Sequence, residues 1–402
     1  MKPILLPYGG PEPLLLEPAD ADIAIDARGP LGVKGAATGK LVTAAVTATK
    51  RLPPLAAHVV PGDRVAIALA GPIPDAAVVV EAIRGQLESA GVAADDIALL
   101  QAPPLDGMAL RTADQPPLPA ALMFDPGHES ESAYLTSDAD GNPLHLARVL
   151  VDADVVVAVG TRTWDASLGG PSFDGDLWPA FARTSARNDI LRRLARTGRK
   201  GVAPIHDWAR DIGWQLGVMA SVRIVPGREG SIHAVEFGTP LSAARAALRD
   251  AAGWRPRLPG GARLAILSLA EPDGGLPALV RAVAAASKAT HPEGTICVAC
   301  RLSEPPGAVF TRWRQGVALA PLVMEALRSG DPALVADALS TRLFARALGD
   351  RRLVLLSDLE AGLIEDLEFG HAATPEVVER LAHRADSLVI LHEAERMFPR
   401  PA

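Results

Sequence analysis

The stretch VVVAVGTRTWDASLGGPSFDGDLWP, residues 155–179, decides the fold. An apolar strand, Val155–Val159, ends at Gly160, and a loop rich in Gly, Asp and Trp follows. In an open α/β sheet, ligands bind in the loops that leave the carboxyl ends of the strands. Arg162, Trp164, Asp165, Asp174, Asp176 and Trp178 all fall in this loop and are its candidate ligand-binding residues. Arg162 has the fork geometry to clamp a carboxylate or phosphate. The three aspartates suit a hard cation or sugar hydroxyls, and the two tryptophans suit a flat ligand. The competing reading is structural: Gly and Asp form turns, and the tryptophans cover an emptied cleft. Asp174 and Asp176 form a single D-x-D pair, too few carboxylates to specify Ca²⁺ or Mg²⁺, and no metal is expected.

Strand and helix signals alternate on both sides of this stretch. Strands are expected over Arg64–Leu69, Asp96–Gln101, Gly201–Pro204 and Val222–Val225, with helices over Asp75–Ser89 and Ser185–Arg196. A Pro-rich, irregular stretch is expected over 102–118. A helix over Pro240–Asp250, capped by Thr239, precedes GWRPRLPGG, residues 253–261. That Pro/Gly-rich segment is the expected linker. Beyond it the alternation restarts with strands at Arg263–Leu269, Thr295–Cys300, Leu353–Leu356 and Ser387–Leu391. The pattern predicts a two-domain α/β protein: a parallel-sheet, Rossmann-like N-terminal domain (1–252) and a smaller α/β C-terminal domain (262–402), with an interdomain cleft.

Composition narrows the function classes. The formal net charge of −7 disfavours nucleic acid and anionic membranes, both of which need a basic surface. No apolar run approaches the roughly 18 residues of a membrane span, and Pro and Gly interrupt the opening MKPILLPYGGPEPLLLEP. A cytoplasmic location is therefore expected. Cys297 and Cys300 read as small residues of an apolar strand, because i and i+3 point to opposite faces and cannot share a metal or a disulfide.

Several segments together resemble the nickel-pincer-dependent lactate racemases and related hydroxyacid racemases. They are LLPYG near the start, PGDRVAIALAGPIP (61–74), ADVVVAVG with its Gly-rich loop, HPEGTICVA, and LFARAL with RRLVLLSDL. The resemblance implies their two-domain fold, but the motifs that carry the family's catalysis are largely replaced. An Asp-x-Thr-Arg-Pro turn corresponds to Ala68–Pro72, and a His after the next strand corresponds to Pro103–Pro104. A loop His corresponds to Asp165, and the Lys that tethers the pincer falls among Gly169, Gly170 and Pro171, with no Lys before Lys200. A nickel-binding His falls among Thr184–Asn188, and a substrate-binding Gln and Lys correspond to Arg281 and Ala284. Neither Gly nor Pro supplies the amine for a covalent tether, and the paired bases for inversion are gone. The resemblance thus implies a homologue without nickel-pincer catalysis, no cofactor, and a cleft that takes a small anionic metabolite or a partner. Two rivals remain: an active hydroxyacid racemase or epimerase using Arg162, Asp165 and His206, and a regulatory or interaction subunit.

Other clusters read as structural or solvated. His206 and Asp207, which are also candidate ligand-binding residues, follow the expected strand GVAP, as an acid/base pair or as a helix cap beside a partly exposed His. His128–Glu129 with Glu131, and His392–Glu393 with Glu395, lack the i+4 His spacing of a helical metal site and read as solvated patches. The four tryptophans between 164 and 214 mark a distinct core or cleft lining, with Trp208 or Trp214 near the surface. No dinucleotide loop, Walker loop or nucleophile elbow is present.

Overall fold

The computed structural model describes residues 3–18, 24–50, 52–105, 118, 120–137 and 141–402. In chain order, β1 (Ala24–Ala27), β2 (Val65–Leu69), β3 (Ile97–Gln101), β4 (Leu122–Met123), β5 (Val155–Thr161), β6 (Ala220–Pro226) and β7 (Ile232–Gly238) come first. Then follow β8 (Ala262–Ser268), β9 (Thr290–Ala299), β10 (Arg352–Leu356), β11 (Gly370–His371) and β12 (Leu388–Leu391). They form two six-stranded sheets, ordered β7-β6-β5-β2-β3-β4 and β11-β10-β9-β8-β12-β1. Within these sheets only β6 and β7 pair antiparallel. The α/β architecture with parallel sheets read from the sequence is the one adopted.

Alternation along the buried strands separates two kinds of core. Val65, Ile67, Leu69, Val157, Val159, Val222 and Ile224 fill one face of the first sheet under its helices. The opposite face carries smaller residues, Ala66, Ala68 and Ala158, and its core runs on into Ala265, Leu267 and Val298 of the second sheet. A single apolar interior therefore joins the two lobes. The outer face of the second sheet is covered by the hairpin Ile4–Leu6 with Leu14–Leu16, and Ile266, Cys297 and Ile390 pack beneath it. The chain's first segment thus serves the second sheet, both through this hairpin and through β1 at its edge.

Gly201–Pro204 is no strand: a 3-10 turn, Gly198–Gly201, runs into helix Val202–Gln215. Pro204 is tolerated there because the first-turn N–H groups of a helix have no intrahelical partner. Residues 253–261, the expected linker, pack against neighbouring segments. Trp254 is buried, its Nε1 donates to the Pro226 carbonyl at 2.7 Å, and Arg257–Leu258 pairs with Arg400–Pro401. The irregular stretch expected over 102–118 lies outside the described residues from 106 to 117. Thr239 caps its helix as expected, its Oγ1 accepting from the Ser242 N–H at 3.2 Å. Among the described residues no helix is long and apolar enough to cross a membrane.

Candidate functional site

β2, β3 and β5 run parallel, so their carboxyl ends open onto one edge of the first sheet. The loop after β5 turns back over that edge. Gly160 ends the strand on its small-residue face, and Gly175 of the returning loop lies directly against it. A Cβ on either glycine would collide with backbone of the other segment. Arg223 pairs with Gly160 from the neighbouring strand β6 and donates through Nη1 to the Gly175 carbonyl. The loop is therefore seated by a glycine contact and a guanidinium, both aimed at the same peptide.

Asp176, the next residue, collects the charges. Arg162 Nη1 lies 3.2 Å from its Oδ2, Arg223 Nη2 lies 3.4 Å from its Oδ1, and His206 Nδ1 lies 3.4 Å from Oδ2. Burial alone would raise the Asp176 carboxyl. Arg162, the His206 hydrogen bond and Arg223 outweigh it and hold the group down at about 2. Burial also lowers the Arg223 pKa, from the usual arginine range to about 10, against the pull of Asp176. His206 also donates through Nε2 to the Pro171 carbonyl at 3.2 Å and stacks on Phe173, with ring centroids 4.5 Å apart. Two buried guanidiniums thus share one carboxylate, and the Nε atoms of both have no partner. They line a pocket of about 160 Å³ with Ala158, His206 and Gly213. All of its lining comes from the first lobe.

A second ion cluster ties this loop to the second lobe. Arg281 sits on the apolar helix Gly275–Ala286, and its Nε lies 2.9 Å from Asp165 Oδ2. Its Nη1 lies 3.4 Å from Asp174 Oδ2. Burial works against its charge, but Asp165 and Asp174 raise its pKa above the usual arginine value. Asp165 also accepts on Oδ1 from the Ser167 and Leu168 N–H groups, which fixes the turn between its short strand and Gly170–Pro171. Arg281, Asp174, Gly71, Pro72, Pro103 and Pro104 border an interlobe pocket of only about 40 Å³. Alongside it the buried Arg187 donates to the carbonyls of Ala180 and Pro104. Among the described residues no three His, Cys, Asp or Glu side chains are grouped to hold a metal.

The candidate residues therefore separate. Arg162, Asp176 and His206 meet in one pocket, while Asp165 and Asp174 meet Arg281 at the lobe boundary. The D-x-D pair is split: Asp174 faces Arg281, whereas Asp176 faces Arg162 and Arg223. Asp207 stands apart: it is exposed on the second turn of its helix, paired with Arg210 at 2.9 Å, and caps nothing. Trp164 packs on Phe398, with Arg255 3.8 Å above its ring, and Trp178 is buried on another side of the lobe. Lys200 is exposed. Arg223 and Arg281 were missed as site residues, although each is an arginine inside an apolar run, SVRIV and LVRAV, which is itself a signal.

The acidic HEAER segment (392–396) also departs from expectation, for His392, Glu393 and Glu395 are buried rather than solvated. Their polar atoms hold neighbouring backbone and side chains. Glu395 accepts from the Ala270 N–H at 2.8 Å, Glu393 from the Glu229 N–H at 2.6 Å, and His392 meets Asp26 at 2.7 Å. His128, Glu129 and Glu131 are exposed as expected. Trp214 is 82% exposed and Trp208 40%, which places both at the surface.

Comparison with solved structures decides the fold relationship. The chain has the fold of a lactate racemase. It superposes on the lactate racemase apoprotein from Thermoanaerobacterium thermosaccharolyticum with a TM-score of 0.73 at 16% identity, covering 99% of this chain and 100% of the other. A protein from Thermotoga maritima is similar over 84% of this chain and 93% of its own, with a TM-score of 0.58 at 11% identity. No family model and no curated protein matches the sequence. The segments quoted above for their resemblance thus belong to a shared scaffold.

Proposed function

We propose that this chain keeps a lactate racemase fold without nickel-pincer catalysis and serves as a binding protein for a small anionic metabolite. The anion sits beside Arg162, Arg223 and His206, in the first lobe rather than between the lobes. One observation carries this reading: two buried guanidiniums face a pocket with a single carboxylate between them. A buried positive charge without a full counter-charge is costly, and a bound carboxylate or phosphate offsets it with charge-assisted hydrogen bonds.

The residues present do not fit a nickel-pincer group. The tether position falls on Gly169, Gly170 and Pro171, and none of them has an amine. The segment aligned with the nickel-binding His contributes Arg187, a cation already bonded to carbonyls beside the interlobe pocket. The strand-end positions that would handle substrate are Ala, Gly and Pro. An active racemase with relocated residues needs a free base, yet both ring nitrogens of His206 are engaged and Asp165 is held by Arg281 and the turn.

The test is co-expression with the enzymes that make the nickel-pincer cofactor, followed by metal analysis and polarimetry on optically pure 2-hydroxyacids. The expected result is no stoichiometric nickel, no covalent adduct and no loss of rotation. Stoichiometric nickel, or racemisation that disappears in Arg162→Ala, overturns the proposal.

A further inference from the structure

A larger cavity lies on the other side of helix Val202–Gln215, away from the ion clusters. It measures about 340 Å³ and opens between that helix, helix Thr184–Thr197 and the end of the hairpin Ser132–Ser137 with Pro143–Ala147. Leu144, Ile190 and Ile212 give it apolar walls, and Trp178 and Trp208 form an aromatic corner. Their rings meet edge to face, with centroids 5.9 Å apart at 75°. Arg193 is the cation of this cavity. Its guanidinium stands 4.4 Å over the Trp208 ring and has no ion pair or hydrogen bond among the described residues.

The rim is acidic, but its carboxylates point to solvent, where their charge is screened. Asp189 lies 3.6 Å from Arg192 and Asp211 lies 3.5 Å from Arg210, all of them exposed to solvent. The inner surface therefore offers apolar area, two indoles and one uncommitted guanidinium. Pockets of this kind, with apolar walls and a few oriented polar groups, are the usual form of small-molecule sites. The volume is at the low end of that range, which suits one or two fused rings and excludes a nucleotide.

We infer that this cavity is a binding site for a small aromatic monocarboxylate, its ring against the Trp178–Trp208 corner and its carboxylate on Arg193. Stacking on Trp208 pre-orients the guanidinium, so little side-chain freedom is lost when it takes up the anion. The site is independent of the Arg162 pocket, which uses the opposite face of the same helix.

Titration of benzoate and indole-3-acetate, read by calorimetry and tryptophan fluorescence, tests this, with benzyl alcohol and benzylamine as neutral and cationic controls. The acids are expected to bind about 10-fold or more tighter than benzyl alcohol, and Arg193→Gln is expected to abolish that preference. Ala186→Leu, which fills the cavity from its wall without touching Arg193, is expected to weaken acid and alcohol alike. Equal binding of acid and alcohol, tighter binding of benzylamine, or acid binding unchanged in Arg193→Gln or in Ala186→Leu overturns the inference.

Discussion

Gly160 and Gly175 lie backbone against backbone, so the loop that leaves β5 returns across the end of the same strand. No side chain fits between them, and the neighbours of a new Cβ on Gly160 are backbone atoms that cannot rotate away. Gly160→Ala is expected to cost roughly 2 kcal/mol or more in urea unfolding, through overpacking that displaces the loop. Because the loop carries Asp176, the variant is also expected to lose the anion binding proposed for the wild type. An unchanged midpoint and unchanged binding contradict this.

Asp176 is the only carboxylate in ion-pair contact with Arg162 and Arg223 among the described residues. Asp176→Asn leaves two buried cations unpaired and is expected to destabilise the fold by about 3–5 kcal/mol. The group's pKa falls from its ordinary value to about 2 on folding. Its contribution is therefore complete above its ordinary carboxylate range and is lost as pH falls through about 2. Acid unfolding of the wild type and Asp176→Asn should converge at the bottom of that window.

Glu395 works in the opposite sense. Burial raises its pKa to about 7, although Arg396 opposes this, and its Oε2 has no partner. The folded state therefore keeps a proton that the unfolded state gives up near its ordinary carboxylate range. Stability from this group is complete at low pH and is lost as pH rises through about 7, a loss of roughly 3 kcal/mol. Glu395→Gln keeps the acceptor for the Ala270 N–H and removes the ionisation. The variant should melt above the wild type at pH 8, with the gap closing by pH 5. A gap independent of pH contradicts the assignment.

Cys297 packs under the N-terminal hairpin, while Cys300 packs into the core shared by the lobes. Burial pushes both thiols up to about 12. A thiolate is the reactive form, so native protein should show no fast reaction with a disulfide reagent at pH 8 and two equivalents after denaturation. Rapid native labelling would mean that one of these cores opens.

Much of the fold is legible in the sequence because the buried strands are uniform apolar runs at regular spacing, VAIAL and VVVAVGT among them. The errors arise where two physical rules compete. GVAP looks like a strand, but Pro204 is equally at home in the first turn of a helix, and the amphipathic pattern through Gln215 prevails. HEAER looks solvated by composition, yet Glu393 and Glu395 each bind a backbone N–H from a distant segment, which no local pattern reveals. At the candidate site the loop residues were visible and their partners were not. Arg223 and Arg281 lie 47 and 116 residues beyond Asp176 and Asp165, and only the sheet order and the packing of the lobes bring them together.

The most direct test of the central claim is calorimetric titration of malonate and inorganic phosphate into the wild type and Arg162→Gln. That variant leaves Arg223 and Asp176 as a balanced pair, so it should fold and have no charge left for a ligand. The wild type is expected to bind at least one anion saturably and one-to-one, and Arg162→Gln is expected to bind none. A folded wild type that binds neither anion, or an Arg162→Gln variant that binds as tightly, contradicts the claim.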